Sequence, residues 1–344
     1  MTANITYSTE EIDRLLVPIY VIVIMFGVAG NTIVLVVIKS TRSMHTTTNF
    51  LLLNLAVADS LTLLWCVPYK VLIFAFVHPS GVGGNILCKF FTSYNVTVIT
   101  LTVSIFTLTT LSVERYRALI NPLQRKFRLD LETVPYAIAA IWIASAAFMV
   151  PLFVVTEYIP EAKACRVKWS SKEQEDLYSL CIMVFSIFTP IMITVVCYIR
   201  IIKGLYFSNT ICAIPTGLQQ QSDVQEKRKI VKILLVVTGA FVMSFLPYAS
   251  FRIVVASADE NDHDKYSKLQ SLREIFKFIS YASSCFNPVI YAVQSSNYRE
   301  ACKRLFLKKC CCFKGASLET GSMTMGRSIT NGELQTAQQF SVAK

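Results

Sequence analysis

Asp59 closes the segment Asn54-Leu55-Ala56-Val57-Ala58-Asp59, inside an apolar stretch that runs from about residue 49 to 76. A carboxylate in such surroundings is costly enough to count as functional by default. Asn31, Ser104, Ser283 and Asn287 are also polar side chains in apolar company, able to converge on it. A second charged group, Glu114-Arg115-Tyr116, ends another long apolar run. The parts of an enzyme are missing. The three histidines fall in no zinc-binding spacing, and none lies in the middle of an apolar stretch to serve a nucleophile as base. Neither a catalytic residue nor a metal centre is expected.

The elements that must position these residues are set by composition. Hydrophobic residues make up 53% of the 344 and charged residues only 16%, with a mean hydropathy of +0.50, against about 25% charged in soluble chains. Windows 15–38, 49–76, 86–118, 134–154, 177–203, 228–256 and 271–294 are each long enough to cross a bilayer as a helix. An all-α membrane protein is expected, with seven transmembrane helices in one bundle (residues 15–296), an outer N-terminus (1–14), an amphipathic eighth helix (297–309) and a disordered inner tail (310–344).

The net charge of +11 has a simple distribution. Segments placed outside sum to −2 and those placed inside to +13, which is the positive-inside pattern and not a nucleic-acid surface. Asn4-Ile5-Thr6 then offers an outer glycosylation site. Pro68, Pro151, Pro190, Pro247 and Pro288 each break a helix hydrogen bond within a span, which suits a bundle that moves. After the last span, Tyr298, Ala301, Cys302, Leu305 and Phe306 share one helical face, with basic residues opposite. Cys310, Cys311 and Cys312 follow as palmitoylation candidates.

Taken in order, these motifs resemble those of the rhodopsin-like (class A) G-protein-coupled receptors over roughly residues 15–310. They are Gly30-Asn31, the segment ending at Asp59, Glu114-Arg115-Tyr116, Trp142 with Pro151, Pro190 with Tyr198, Phe241 with Phe245-Leu246-Pro247-Tyr248, and Asn287-Pro288-Val289-Ile290-Tyr291. The resemblance implies a switch in which Arg115, held by Glu114 at rest beside Tyr116, is released toward Tyr198 and Tyr291. It implies a packing triad of Ile105, Pro190 and Phe241, joined by Phe245, which links an outer ligand site to an inner opening. Asp59, Ser104, Ser283 and Asn287 resemble the family's sodium pocket, so an allosteric sodium ion is the one cofactor implied.

The same resemblance pairs Cys88 with Cys165, the two cysteines on the outer side, and places Pro122 and Leu123 of the second inner loop against a heterotrimeric G protein. Ser317, Thr320 and their neighbours in the tail would serve a receptor kinase and arrestin. The chain departs from the family in carrying Phe245 where Trp is usual and Lys227 where some members have an acid. Its spacing of 27 residues from Cys88 to Arg115 is also longer than usual.

The ligand is narrowed by what is absent. No acid lies in residues 86–105 to pair an amine, and Tyr281 stands where opsins carry their lysine. The charged and aromatic loop around Cys165 resembles that of neuropeptide receptors. A peptide is expected to span the outer loops and insert one end beside Thr97, Tyr248, Arg252, Lys277 and Tyr281. A small anionic lipid or nucleotide is the alternative ligand, and a transporter the alternative class, disfavoured because only one intramembrane carboxylate is evident. The expected location is the plasma membrane, among its lipids, with the N-terminus outside.

Overall fold

The computed structural model describes residues 9–71, 78–120, 129–161, 164–204, 218–256 and 263–305, and within them leaves the side chains at 9–13, 69, 218–227, 230, 252, 255–256, 263–267 and 270 undescribed. Asn4, Pro122, Leu123, Phe306, Cys310, Cys311, Cys312, the Ser and Thr residues of the tail, and the side chains of Lys227 and Arg252 therefore lie outside the described residues.

The described chain is almost wholly helical. Helix α1 runs Thr9–Ser40 and α2 Thr47–Cys66, the latter opened by Thr46, whose hydroxyl accepts from the Asn49 amide at 3.3 Å. A short α3 (Gly81–Leu87) leads through a π-helical turn, Cys88–Thr92, into α4 (Asn95–Ile120). Helix α5 (Val134–Val155) begins after Asp130, whose carboxylate accepts from the amides of Glu132 and Thr133 at 3.0 and 2.8 Å. A hairpin follows, β1 (Thr156–Ile159) antiparallel to β2 (Ala164–Val167). Then come α6 (Lys172–Ile182), α7 (Thr189–Ile202), α8 (Leu218–Ala256), α9 (His263–Ala282) and α10 (Phe286–Gln294). Residues 296–305 are helical again.

Among the described residues, six stretches are long and apolar enough to cross a membrane: Arg14–Ser40, Thr47–Cys66, Gly81–Ile120, Val134–Val155, Lys172–Ile202 and Val231–Phe251. The seventh expected window falls on α9 and α10. It carries Arg273, Glu274 and Lys277 and is interrupted by a 3-10 turn at Ser283–Cys285, so length and composition alone do not single it out. It packs into the bundle all the same, with α9 against α1 and α8, and α10 against the same two helices.

The solvent for this fold can be read from which side chains face outward. Met25, Ile143, Val154, Met192 and Met243 are each at least 60% exposed, whereas Asn31, Asn54, Asp59, Thr62, Ser104, Thr107 and Ser112 are buried. Polar groups inside and apolar groups outside are what lipid requires, because each buried polar atom must find a partner within the bundle. Asn54 meets this demand in full view: its amide nitrogen donates to Thr107 at 2.8 Å and its oxygen accepts from the Trp142 indole at 2.9 Å, joining α2, α4 and α5.

Candidate functional site

The centre of the bundle is organised by a missing amide. Pro288 in α10 has no N–H to return to the carbonyl of Ser284 four residues earlier. That carbonyl instead accepts from the side-chain amide of Asn31 in α1 at 2.9 Å, and the same nitrogen donates to Gly27 O at 2.9 Å. The approach of α1 depends on glycine. A Cβ at Gly30 would stand 2.9 Å from Pro288 Cβ, and one at Gly27 only 2.4 Å from Leu63 Cδ1 and 2.5 Å from Cys285 Sγ.

Asp59 lies against this joint and is 1% exposed. Its Oδ1 accepts from Ser104 at 3.0 Å and Ser284 at 3.1 Å, and its Oδ2 accepts from the Asn287 amide at 2.6 Å. The structure thus brings Asp59, Ser104 and Asn287 together, but corrects one expectation. Ser283 turns away and donates to Ser280 O at 2.7 Å, while its neighbour Ser284 takes the place beside the carboxylate. The 3-10 turn is the reason, since three residues per turn advance the side chains faster than the 3.6 of an α-helix.

At one end of the bundle, the Arg115 end, Arg115 Nε lies 2.8 Å from Glu114 Oε2, and Thr48 of α2 donates to the same oxygen at 3.4 Å. Tyr198 and Thr238 share a hydrogen bond at 3.3 Å between α7 and α8. Tyr291 is buried and meets the ring of Tyr298 edge-on at 6.3 Å, its hydroxyl making no hydrogen bond with any described residue. Leu111, Tyr198, Ile201, Val231 and Leu234 pack together with Leu51, Leu119 and Val134, with Tyr116 against their edge, so that α8 is closed onto α4 and α7.

The opposite end carries the Cys88–Cys165 disulfide, which ties the π-helical turn before α4 to β2. Beneath the hairpin lies a cavity of about 920 Å³, including its open mouth. Val167 and Trp169 cover it from the hairpin side, and Ile105 and Phe245 line it more deeply. Phe245 stacks on Phe241 at 4.2 Å, so the cavity wall continues along α8. Pro190 is buried near the start of α7, directly after the π-helical segment Met183–Phe188. Its missing N–H accounts for the altered helix there.

Of the expected ligand contacts, Tyr248, Lys277 and Tyr281 line the cavity. Thr97 does not. It is 0% exposed within α4, and its carbonyl accepts from Thr100 at 2.9 Å. The long spacing from Cys88 to Arg115 explains the displacement. The π-helical turn and the bend at Ser93 and Tyr94 take up extra residues before α4 starts, which leaves Tyr94 and Val98 at the cavity and Thr97 between helices.

A buried ion cluster stands outside the sequence expectations. Glu274 Oε2 lies 3.0 Å from Lys70 Nζ and 3.3 Å from Lys277 Nζ, and Oε1 lies 3.4 Å from Arg273. Asp59 is therefore not the only carboxylate buried in the bundle, because Glu274 is 5% exposed. The three-residue step from Glu274 to Lys277 was a visible helical ion pair. The partner on α2's extension, Lys70, lies 204 residues away and left no sign in the sequence.

Comparison with known proteins gives consistent matches. The family described as 7 transmembrane receptor (rhodopsin family) matches residues 30–291. The QRFP-like peptide receptor of Branchiostoma floridae is 29% identical over 289 residues, covering 82% of this chain and 74% of that protein. Galanin receptor 2b of Danio rerio is 29% identical over 311 residues, covering 88% and 78%. Somatostatin receptor type 4 of Rattus norvegicus is 29% identical over 300 residues, covering 85% and 73%.

Proposed function

Because the chain belongs to the rhodopsin family of seven-transmembrane receptors, we propose that it binds an extracellular neuropeptide-type ligand and activates heterotrimeric G proteins by opening at the Arg115 end. Membership in a receptor family answers the enzyme and transporter alternatives. The relatives named for galanin, somatostatin and a QRFP-like peptide support a peptide as the ligand class.

The observation that carries this reading is one continuous helix, α8. At the disulfide end its Phe245 and Tyr248 line the cavity, and at the Arg115 end its Val231 and Leu234 seal the bundle against α4 and α7. A ligand that pushes on Phe245 acts on a lever whose Val231 and Leu234 are held by dispersion contacts, individually weak, beside the Tyr198–Thr238 hydrogen bond. It shifts the equilibrium only by its preference for the open form. Freed of Glu114, Arg115 would then meet Tyr198 and Tyr291, with Tyr116 remaining in the seam.

A disulfide belongs to an oxidising compartment, and the basic residues concentrate toward the other end, which supports an outer N-terminus with glycosylated Asn4 at the plasma membrane. Asp59 with the hydroxyl oxygens of Ser104 and Ser284 offers a hard oxygen donor set that fits a sodium ion, with Asn287 donating its amide to the other carboxylate oxygen. Such an ion would add charge balance at Asp59 and favour the resting bundle. Pro122 and Leu123 are proposed as G-protein contacts. Residues 297–309 are proposed as an amphipathic helix on the lipid surface, anchored by palmitoylated Cys310, Cys311 and Cys312, and the tail as the target of a receptor kinase and arrestin.

The test is a neuropeptide library applied to cells expressing the full chain with reporters for several G-protein families. A peptide response lost in Arg115→Ala at unchanged surface expression supports the proposal; a response that persists in that variant contradicts it.

A further inference from the structure

We propose that the cavity recognises a carboxylate on its ligand, and that Glu274 acts as an internal stand-in that gives up Lys277 to it. This rests on the reading of the cavity as the ligand site. Three cations, Lys70, Arg273 and Lys277, share Glu274. Their contacts are unequal. Lys70 approaches to 3.0 Å, a good charge-assisted distance, whereas Lys277 stands at 3.3 and 3.4 Å from the two oxygens, near the limit for a hydrogen bond.

Position separates the cations further. Lys277 lines the cavity, and Lys70, Arg273 and Glu274 do not. An incoming carboxylate thus meets Lys277, the one of these three cations that lines the cavity, held less closely than Lys70, while Lys70 and Arg273 stay with Glu274. The exchange brings a second anion to a cluster in which, among the described residues, three cations share one carboxylate, so the added attraction offsets part of the cost of desolvating the incoming group. Among the described residues, the other charged one lining the cavity is Glu175, exposed in the first turn of α6. It repels an acid on its own side and so directs the carboxylate toward Lys277. Ser186 supplies a separate sign of ligand binding: it lines the cavity, is 1% exposed, and its hydroxyl has no partner among the described residues. A buried hydroxyl in that condition is destabilising unless something bonds to it.

A carboxylate could belong to a peptide or to a fatty acid, and the probes separate them. Purified full-length protein in nanodiscs of neutral lipid is titrated with N-acetyl-phenylalanyl-phenylalanine as free acid, with its C-terminal amide, and with lauric acid, binding being read by ligand-observed NMR. The acid is expected to bind about tenfold or more tightly than the amide, as a charge-assisted bond implies. Lys277→Gln should erase that difference.

In Glu274→Gln combined with Lys70→Gln, which removes the carboxylate together with its nearest cation and leaves Lys277 without its contact to Glu274, acid binding should strengthen several-fold with amide binding unchanged. Lauric acid that binds through Lys277 while the dipeptide acid does not would keep the carboxylate and assign it to a lipid. Equal binding of acid and amide, an acid preference that survives Lys277→Gln, or no binding of either acid overturns the proposal. None of these readouts passes through a G protein, so failure here is distinct from failure of the signalling proposal.

Discussion

Asn287 donates to Asp59 across the bundle at 2.6 Å, the shortest of the bonds that hold this carboxylate, and so fixes α10 to α2. Around it, the 3-10 turn places Ser284 on the same carboxylate and Asn31 on the Ser284 carbonyl. Helices α1, α2 and α10 are thereby tied at one point, the break between α9 and α10.

Asp59→Ala removes the acceptor for three buried donors. Each donor left without a partner costs about 1–3 kcal/mol, so the variant should unfold at a clearly lower temperature in detergent. Asp59→Asn keeps much of the hydrogen bonding but loses the charge. We expect it to abolish any sodium-dependent rise in melting temperature, measured by exchanging sodium for choline at constant ionic strength.

Gly27→Ala is predicted to be more damaging than its size suggests. Its Cβ would fall 2.4 Å from Leu63 and 2.5 Å from Cys285, and forcing α1 away would strain the Asn31 bonds. Overpacking of this kind costs about 1–3 kcal/mol. Gly239→Ala, where nothing lies within 4 Å, should be near neutral. Thermal unfolding of the two variants side by side checks the contrast.

Most of this arrangement was legible in the sequence because membrane spans leave few polar residues to choose from. Asp59, Asn31 and Asn287 could be singled out by apolar context, and all three are buried and bonded to neighbours. What was not legible depends on local helix winding. Ser283 and Ser284 are adjacent, and only the 3-10 turn decides between them. Thr97 and Val98 are separated in the same way by the π-helical turn upstream. Lys70 with Glu274 is a tertiary pairing with no periodic signature.

Glu114→Gln weakens the partner that lies 2.8 Å from Arg115. If that pair restrains the switch, basal nucleotide exchange on a G protein should rise several-fold without ligand, while Thr48→Ala, which removes only the 3.4 Å bond to Glu114, should give a smaller rise in the same direction. No change in basal exchange for either variant would count against Glu114 as the restraint.

Phe245→Ala tests the transmission along α8. It empties space at the cavity wall and removes the 4.2 Å stack on Phe241. Peptide binding should persist with at most a modest loss, and the maximal signalling response should fall sharply. A proportionate loss of both would make Phe245 a binding residue and nothing more.

Occupation of the cavity is predicted to separate the far end of α8 from its neighbours. The most direct measurement is the distance between probes at the exposed positions Lys39 and Lys229, read by electron spin resonance on the full chain in nanodiscs. With an activating peptide and nucleotide-free heterotrimer, the distance is predicted to lengthen by several ångströms, and to do so in Arg115→Ala only weakly. A distance distribution that stays the same in every condition, with peptide binding confirmed in the same sample, would contradict the account.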